Sequence, residues 1–392
     1  MPPAARIEQE RIEGIVCPKY IAEFWTARQR QAASLHEISY RACFKPQLPR
    51  FFINLFTRPG DTVYDPFAGR GTTAIEAGLS GRRVISNDVN PLSKILTFPR
   101  FFIPGMNRLA GRLSEIPIHK TARAGIDLSM FYHPDTEAEI VSLREYLRAR
   151  KESGEEDALD AWIRMAATNR LTGHSPGFFS VYTLPPNQAV SAAQQRKINA
   201  KRHQAPEYRD TRKLILKKTR QLLSNLTAAQ IEALKRAGES ALFLSEDARR
   251  TPQIPDGAVQ ITVTSPPFLN VVQYAADNWL RCWFNGIDAA AVGERITMAA
   301  TLESWSAVMA AVFAELFRIT RPGGWVAFEV GEVRNGQIRL DEHVVPLGLQ
   351  AGFRCRGIVI NEQQFTKTAN IWGVQNNRKG TNSNRIVLFD KA

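Results

Sequence analysis

The stretch from Thr62 to Leu79 constrains this chain more than any other. Thr62-Val63-Tyr64-Asp65 is β-branched and aromatic, which predicts a short buried strand. Pro66-Phe67-Ala68-Gly69-Arg70-Gly71 follows, and then a helix from Thr72 to Leu79 that stops near Gly81. The two glycines allow a tight turn and a close approach of backbone to a ligand. Arg83-Val84-Ile85-Ser86 predicts a second strand ending at Asp88, about twenty residues beyond the glycines. That is the spacing of a βαβ nucleotide-binding unit, in which an acid takes the ribose hydroxyls.

Strand-like runs recur at Ala241–Leu244, with Asp247 just past it, and at Val259–Val263, Trp325–Val330, Arg354–Ile360 and Arg385–Phe389. Trp305, Val308, Met309, Val312, Phe313, Leu316 and Phe317 recur at three and four residues, the core stripe of a helix that Arg321-Pro322-Gly323-Gly324 ends. Alternating strands and helices predict an α/β fold with a mostly parallel sheet covered on both faces. From about residue 107 to 240 the pattern gives way to polar helices and to loops such as Gly173–Gly177 and Leu184-Pro185-Pro186-Asn187-Gln188. The expected organisation is a catalytic domain from 1–106 and 241–392, with 107–240 inserted as a basic, mainly helical region.

Thr262-Val263-Thr264-Ser265-Pro266-Pro267-Phe268 ends a strand on two prolines and a ring. Each proline fixes its own φ and lacks an N–H, so the segment is stiff backbone with outward carbonyl acceptors. No Gly-x-x-x-x-Gly-Lys-Ser/Thr phosphate loop occurs, and Gly69-Arg70-Gly71-Thr72-Thr73-Ala74 departs from a dinucleotide fingerprint at its last position. An alternative ligand, with adenosine but no phosphates, is S-adenosylmethionine, whose amino acid end can sit over a glycine turn while an acid holds the ribose.

Asp65-Pro66-Phe67-Ala68-Gly69-Arg70-Gly71-Thr72-Thr73 paired with Thr264-Ser265-Pro266-Pro267-Phe268 resembles the amino-methyltransferases of DNA, and Phe44-Lys45-Pro46-Gln47-Leu48 is similar to a further element of that family. The resemblance covers roughly residues 40–106 and 241–392. It implies a Rossmann-like methyltransferase fold with a mostly parallel seven-stranded sheet, helices on both faces and a largely helical insert. It further implies that Asp65, Pro66, Phe67, Gly69, Gly71 and Thr72 form the cofactor loop, that Asp88 holds the ribose and Asp247 the adenine amine, and that Phe44 lines the same pocket. Ser265, Pro266, Pro267 and Phe268 become the catalytic group, with Phe268 stacking on a base flipped out of its duplex.

The serine form of that motif resembles the cytosine-N4 enzymes, and the Asp or Asn form the adenine-N6 enzymes. The expected activity is site-specific methylation of cytosine N4 in double-stranded DNA, with adenine N6 as the alternative and an RNA N-methyltransferase as a more distant one. Carbon methylation at cytosine C5 needs a thiolate, normally from a cysteine after proline, and none of Cys17, Cys43, Cys282 and Cys355 follows a proline. Nor are the four spaced as zinc ligands or a disulfide framework. A binding protein that had lost catalysis would show a broken glycine loop or tetrad; both are intact.

A formal charge of +13 points to a polyanionic partner. It is concentrated between Arg196 and Arg220, where ten Lys or Arg face two acids. Arg196, Lys197, Lys201, Arg202, Arg212, Lys213, Lys217 and Lys218 are the expected phosphate contacts, which position without specifying bases. Asn187 and Gln188 have the chemistry to read adenine edges, and the tail Asn376–Arg385 is expected to form a loop near the target base. No apolar run spans a bilayer, and Met1–Gly14 lacks the apolar core of a secretory signal, so the expected location is cytoplasmic and nucleoid-associated. A cognate restriction endonuclease is a partner the resemblance implies; no metal and no membrane partner are expected.

Overall fold

In a computed structural model the described residues are 5–25, 32–41, 43–185, 188–267, 274–296, 299, 301–333, 338–362 and 384–392. Among the described residues eleven strands form: β1 (Arg6–Ile12), β2 (Ile15–Ala22), β3 (Thr62–Asp65), β4 (Arg83–Asn87), β5 (Leu242–Leu244), β6 (Val259–Thr264), β7 (Thr320–Val330), β8 (Glu332–Val333), β9 (Ile338–Arg339), β10 (Arg354–Asn361) and β11 (Asn384–Asp390). Nine of them make one sheet in the order β1-β2-β10-β11-β7-β6-β3-β4-β5, and β8 and β9 pair separately. The expected seven strands are all present, but the sheet is larger and mixed. β3, β4, β5, β6 and β7 run parallel, whereas β11 lies antiparallel to both β7 and β10.

The two additional strands are an N-terminal hairpin. Glu13 and Gly14 both have positive φ, 47° and 85°, and Ile12 pairs directly with Ile15, the geometry of a two-residue turn whose twist matches its strands. β2 then docks parallel to β10.

Helices α1 (Gln47–Phe56), α2 (Thr72–Leu79) and α3 (Leu92–Thr97) come first, and α4 (Met106–Glu115), α5 (Pro134–Glu152), α6 (Ala158–Arg170), α7 (Ala192–Arg202), α8 (Thr211–Leu223) and α9 (Ala228–Ser240) fill the span between β4 and β5. Then come α10 (Tyr274–Asn285), α11 (Ala289–Arg295), α12 (Leu302–Ile319) and α13 (Leu340–Gln350). Strand residues alternate between two buried clusters, as the period of two demands. Val63, Ile261, Val263, Ala327, Val359 and Leu388 join the cluster containing α1, α2, α6 and α8. Their neighbours Tyr64, Val259, Val326, Phe328, Ile358 and Val387 join the one containing α12 and α13. Both faces are therefore covered, and a strand buried on both faces reads as a nearly continuous apolar run.

β3 sits between β4 and β6, the place where the strand order reverses. Loops leaving the carboxyl ends of β3, β4, β5 and β6 open on one edge of the sheet, where open α/β sheets form their ligand crevice. Among the described residues no helix is long and apolar enough to cross a membrane, and no group of three or more His, Cys, Asp or Glu is placed to hold a metal ion.

Candidate active site

The glycine turn has the conformation its residues permit. Gly69 and Gly71 both take left-handed φ, +51° and +74°, and Gly71 caps α2. A Cβ on Gly71 would lie 2.2 Å from Thr97 Oγ1. Gly71→Ala is therefore expected to lower stability by about 1–3 kcal/mol through backbone strain alone, with the clash in addition; a urea melt that matches the unsubstituted chain would refute this. Two polar side chains hold the turn in place. Asn87, fully buried, donates to the carbonyls of Pro66 (3.2 Å) and Glu246 (3.0 Å) and accepts from Glu246 N (2.9 Å), which ties together the ends of β3, β4 and β5. Arg100, also fully buried, donates to the carbonyls of Leu35, Leu96 and Arg70, and burial pushes its guanidinium down to about 9.

Ser265, Pro266 and Pro267 continue directly from β6, and two contacts bind that strand to the glycine side. Thr264 Oγ1 donates to Asp65 Oδ1 (2.6 Å), and Thr73 Oγ1, on the first turn of α2, donates to the Val263 carbonyl (3.1 Å). An open cavity lies at this edge. Pro66, Phe67, Gly69, Asp88, Asp247, Ser265 and Pro267 all line it, so seven residues chosen from the sequence converge on one space. Asp65, Pro266, Gly71 and Thr72 are not among the lining residues, and Asp65 and Thr72 are buried. Phe44 packs half-buried against the apolar cluster of the α1 face and is not among the lining residues, and Phe268 lies outside the described residues.

The sequence reading missed part of the wall. Tyr40 and Asn90 line the cavity and touch each other, Asn90 Nδ2 donating to the Tyr40 hydroxyl at 3.3 Å. Arg295 reaches it from α11. Val308, Met309 and Val312 of α12, assigned to the core by their spacing, also face it. They are half-buried or buried, so the stripe serves both purposes.

The acids differ sharply. Asp88 accepts from Gly69 N (2.8 Å) and Asn90 N (2.9 Å), yet desolvation raises its carboxyl to about 6. Asp65 Oδ1 accepts from Thr264 and from Phe67 N (3.1 Å), whereas Oδ2 is buried without a partner among the described residues, and desolvation raises the carboxyl to about 7. Asp247 is instead held low by the adjacent Arg249 guanidinium, with Nε 3.0 Å from Oδ1.

The basic run divides between α7 and α8. Arg196, Lys197, Lys201, Arg202, Lys213 and Lys217 are exposed. Arg196 is paired with Asp127 at 2.6 Å, and Arg202 lies over the Tyr182 ring. Lys218 is not a surface charge: it is 3% exposed, donates to the Glu37 carbonyl and is pushed down to about 7 by burial. Arg212 is half-buried and donates to the Ile116 carbonyl. Both lie on the side of α8 turned toward the protein, so the charge count of the run overstates the charge it presents. Gln188 accepts from Arg41 (3.0 Å), which also donates to Asp277 (2.6 Å) on α10; Asn187 and the tail Asn376–Ser383 lie outside the described residues.

A sequence model of a family described as DNA methylase, covering N6 and N4 methylation, matches residues 10–94. The Type II methyltransferase M.BsoBI of Geobacillus stearothermophilus is 24% identical over 286 residues, 67% of this chain and 54% of that protein. Over these stretches the chain is similar to the DNA amino-methyltransferases. The tRNA (guanine(10)-N2)-dimethyltransferase of Methanocaldococcus jannaschii is 38% identical over 63 residues, 16% of this chain and 18% of that protein. The chain thus spans about half the length of the first relative and under a fifth of the second. A solved TehB-like SAM-dependent methyltransferase of Corynebacterium glutamicum aligns over 88% of this chain and 87% of its own at 7% identity, with a TM-score of 0.31.

S-adenosylmethionine is the cofactor of the DNA amino-methyltransferases, and the residues at this cavity fit it. The unpartnered, buried Asp65 Oδ2 is the acceptor an ammonium group requires, and a cation there would offset the desolvation that keeps the carboxyl protonated. Asp88, on the lining, keeps acceptor capacity for hydroxyls beyond its two backbone contacts. Val308, Met309 and Val312 supply an apolar wall for a flat ring.

Proposed function

We propose that this chain methylates the exocyclic N4 of a cytosine flipped out of double-stranded DNA, with adenine N6 as the alternative target. One observation supports it above the others: Ser265 and Pro267 line the same cavity as Gly69 and Asp88. Bound S-adenosylmethionine supplies a methyl group made electrophilic by its sulfonium. Asp65 and Asp88 would hold its ammonium and ribose ends, and Asp247 the adenine amine.

An exocyclic amine is a poor nucleophile because its lone pair is delocalised into the ring. Ser265 and the Pro266 carbonyl accept hydrogen bonds from its two N–H groups, which draws the nitrogen toward tetrahedral geometry. Acceptors fixed before the reaction need no reorganisation during it, and consecutive prolines provide that fixity. Phe268 stacks on the flipped base.

In this reading residues 1–106 and 241–392 carry catalysis, and 107–240 recognises the target. The exposed charges of α7 and α8 face the phosphates. Replacing Lys201, Lys213 and Lys217 together by Gln is expected to weaken DNA binding equally for all sequences and to flatten the salt dependence by about one for each phosphate no longer neutralised; an unchanged slope in a salt titration would remove these helices from the interface. A restriction endonuclease of the same target sequence would be the natural partner.

Incubation with methyl-labelled S-adenosylmethionine and either duplex DNA or tRNA, followed by nucleoside mass spectrometry, tests the activity. N4-methylcytosine from DNA is the expected product, and N6-methyladenine would transfer the role to the alternative base. The tRNA arm is included because of the 63-residue likeness to a tRNA dimethyltransferase; label in tRNA alone would overturn the DNA reading.

A further inference from the structure

The prolines that stiffen the loop after β6 also create a problem. Neither Pro266 nor Pro267 has an N–H, so these two residues cannot be held in place through backbone donors of their own. Past Ser265 the two prolines offer only carbonyls as backbone handles, and a donor from elsewhere has to hold them. That donor is on α12. Trp305 Nε1–H donates to the Pro267 carbonyl at 3.0 Å. The side chain is only 2% exposed and sits in the apolar cluster on that face, with its own backbone N–H bonded to Thr301 O (3.1 Å) at the capped start of the helix. Trp305, Val308, Met309 and Val312 are spaced at i, i+3, i+4 and i+7 and share one side of α12. One end of that row grips the loop, and the rest of it forms cavity wall.

We infer that Trp305 is a positioning residue for methyl transfer: its indole N–H fixes the Pro267 carbonyl, and thereby the aim of the Ser265 side chain and the Pro266 carbonyl. The loop is held from two directions. Thr264, immediately before Ser265, is bound to Asp65, and Pro267, two residues after Ser265, is bound to Trp305. Ser265 and Pro266 lie between two fixed points. Without the second, the peptide carbonyls after Ser265 can rotate, and the amine meets acceptors that are present but misdirected. Trp305 does not touch the reacting atoms, so its loss acts on turnover and leaves cofactor affinity alone.

The inference rests on the methyltransferase reading above, and its test separates the two. β-(3-Benzothienyl)alanine, placed at position 305 by stop-codon suppression, keeps the fused ring and removes only the donor; Trp305→Phe is the second variant. Methyl transfer to duplex DNA and to tRNA is measured for each beside the unsubstituted chain, with cofactor affinity by calorimetric titration and thermal melting as a folding control. The benzothienyl chain is expected to lose roughly 10- to 100-fold in kcat, the scale of misplacing a reacting group by about 1 Å. Cofactor Kd is expected to stay within about twofold and the melt near that of the unsubstituted chain, since the ring still packs. Turnover within about threefold of the unsubstituted chain, on whichever nucleic acid accepts the methyl group, overturns the inference and leaves the reading intact. An unsubstituted chain that methylates neither nucleic acid overturns the reading and the inference with it.

Discussion

Ser265→Ala is expected to lose about 100-fold or more in turnover and to bind S-adenosylmethionine as the unsubstituted chain does. The magnitude follows from removing one pre-aimed polar contact from a transition state, on the scale seen for single oxyanion-hole donors. The selectivity follows from the contacts that remain. Thr264 to Asp65, Thr73 to the Val263 carbonyl and Trp305 to the Pro267 carbonyl all lie outside the Ser265 side chain, so the strand end and the loop keep their positions. Asp65, Asp88 and Asp247 are also untouched. An interaction made only in the transition state lowers kcat without raising KM, whereas a loop that collapsed would raise the cofactor KM as well. Steady-state kinetics with methyl-labelled cofactor, beside a direct binding titration, separates the outcomes. Turnover within about threefold of the unsubstituted chain would end the role given to Ser265.

What could be read in the sequence divides along a physical line. The strand from Thr62 to Asp65 and the helix from Thr72 to Leu79 fall at their predicted bounds, because β-branched residues, two glycines one residue apart and an apolar helical run are local signals. The Ser-Pro-Pro loop was legible for the same reason. β1 was not. Arg6, Glu8 and Glu10 make it read as a polar segment, and it becomes a strand only because β2 finds β10, more than 330 residues along the chain. That pairing is tertiary, and it enlarges the expected seven-stranded sheet to nine.

Asn87 and Arg100 were missed for a related reason, since nothing in the sequence marks a polar side chain as fully buried until the backbone carbonyls it satisfies are brought around it. Lys218 is the mirror case, counted as surface charge although α8 turns it inward. On α12 the apolar spacing was read correctly as a buried stripe. A residue facing a ligand crevice and one facing the core obey the same period, so Val308, Met309 and Val312 could not be told apart from Phe313 and Leu316 before the cavity was in place.

Asp65→Asn is expected to melt higher than the unsubstituted chain at pH 8 in the absence of cofactor, and to lose cofactor binding. The unfolded carboxyl titrates near 3.8 and the folded one near 7, because burial penalises the charged form. Between those values the folded chain holds a proton that the unfolded chain has released, so stability falls as pH rises through the window and is level above it. The loss is ~1.4 kcal/mol for each pH unit crossed. An asparagine side chain at this position cannot ionise, and its oxygen can still accept from Thr264 and Phe67, so the penalty disappears while both hydrogen bonds persist.

The same carboxyl gives cofactor binding the opposite sign. An ammonium needs the ionised form, so affinity in the unsubstituted chain is expected to fall about tenfold per pH unit below 7 and to level off above it. Asp88, raised to about 6, steepens the fall at the acid end. In Asp65→Asn the dependence near 7 is lost along with most of the affinity. A site of this kind holds a charge the fold would rather neutralise until its ligand arrives, which is why the substitution that stabilises the chain also disarms it. Calorimetric titrations and melts across the neutral range check both signs. A cofactor Kd independent of pH in the unsubstituted chain, or a melt at pH 8 that drops in Asp65→Asn, would show that the buried carboxyl does not govern this pocket.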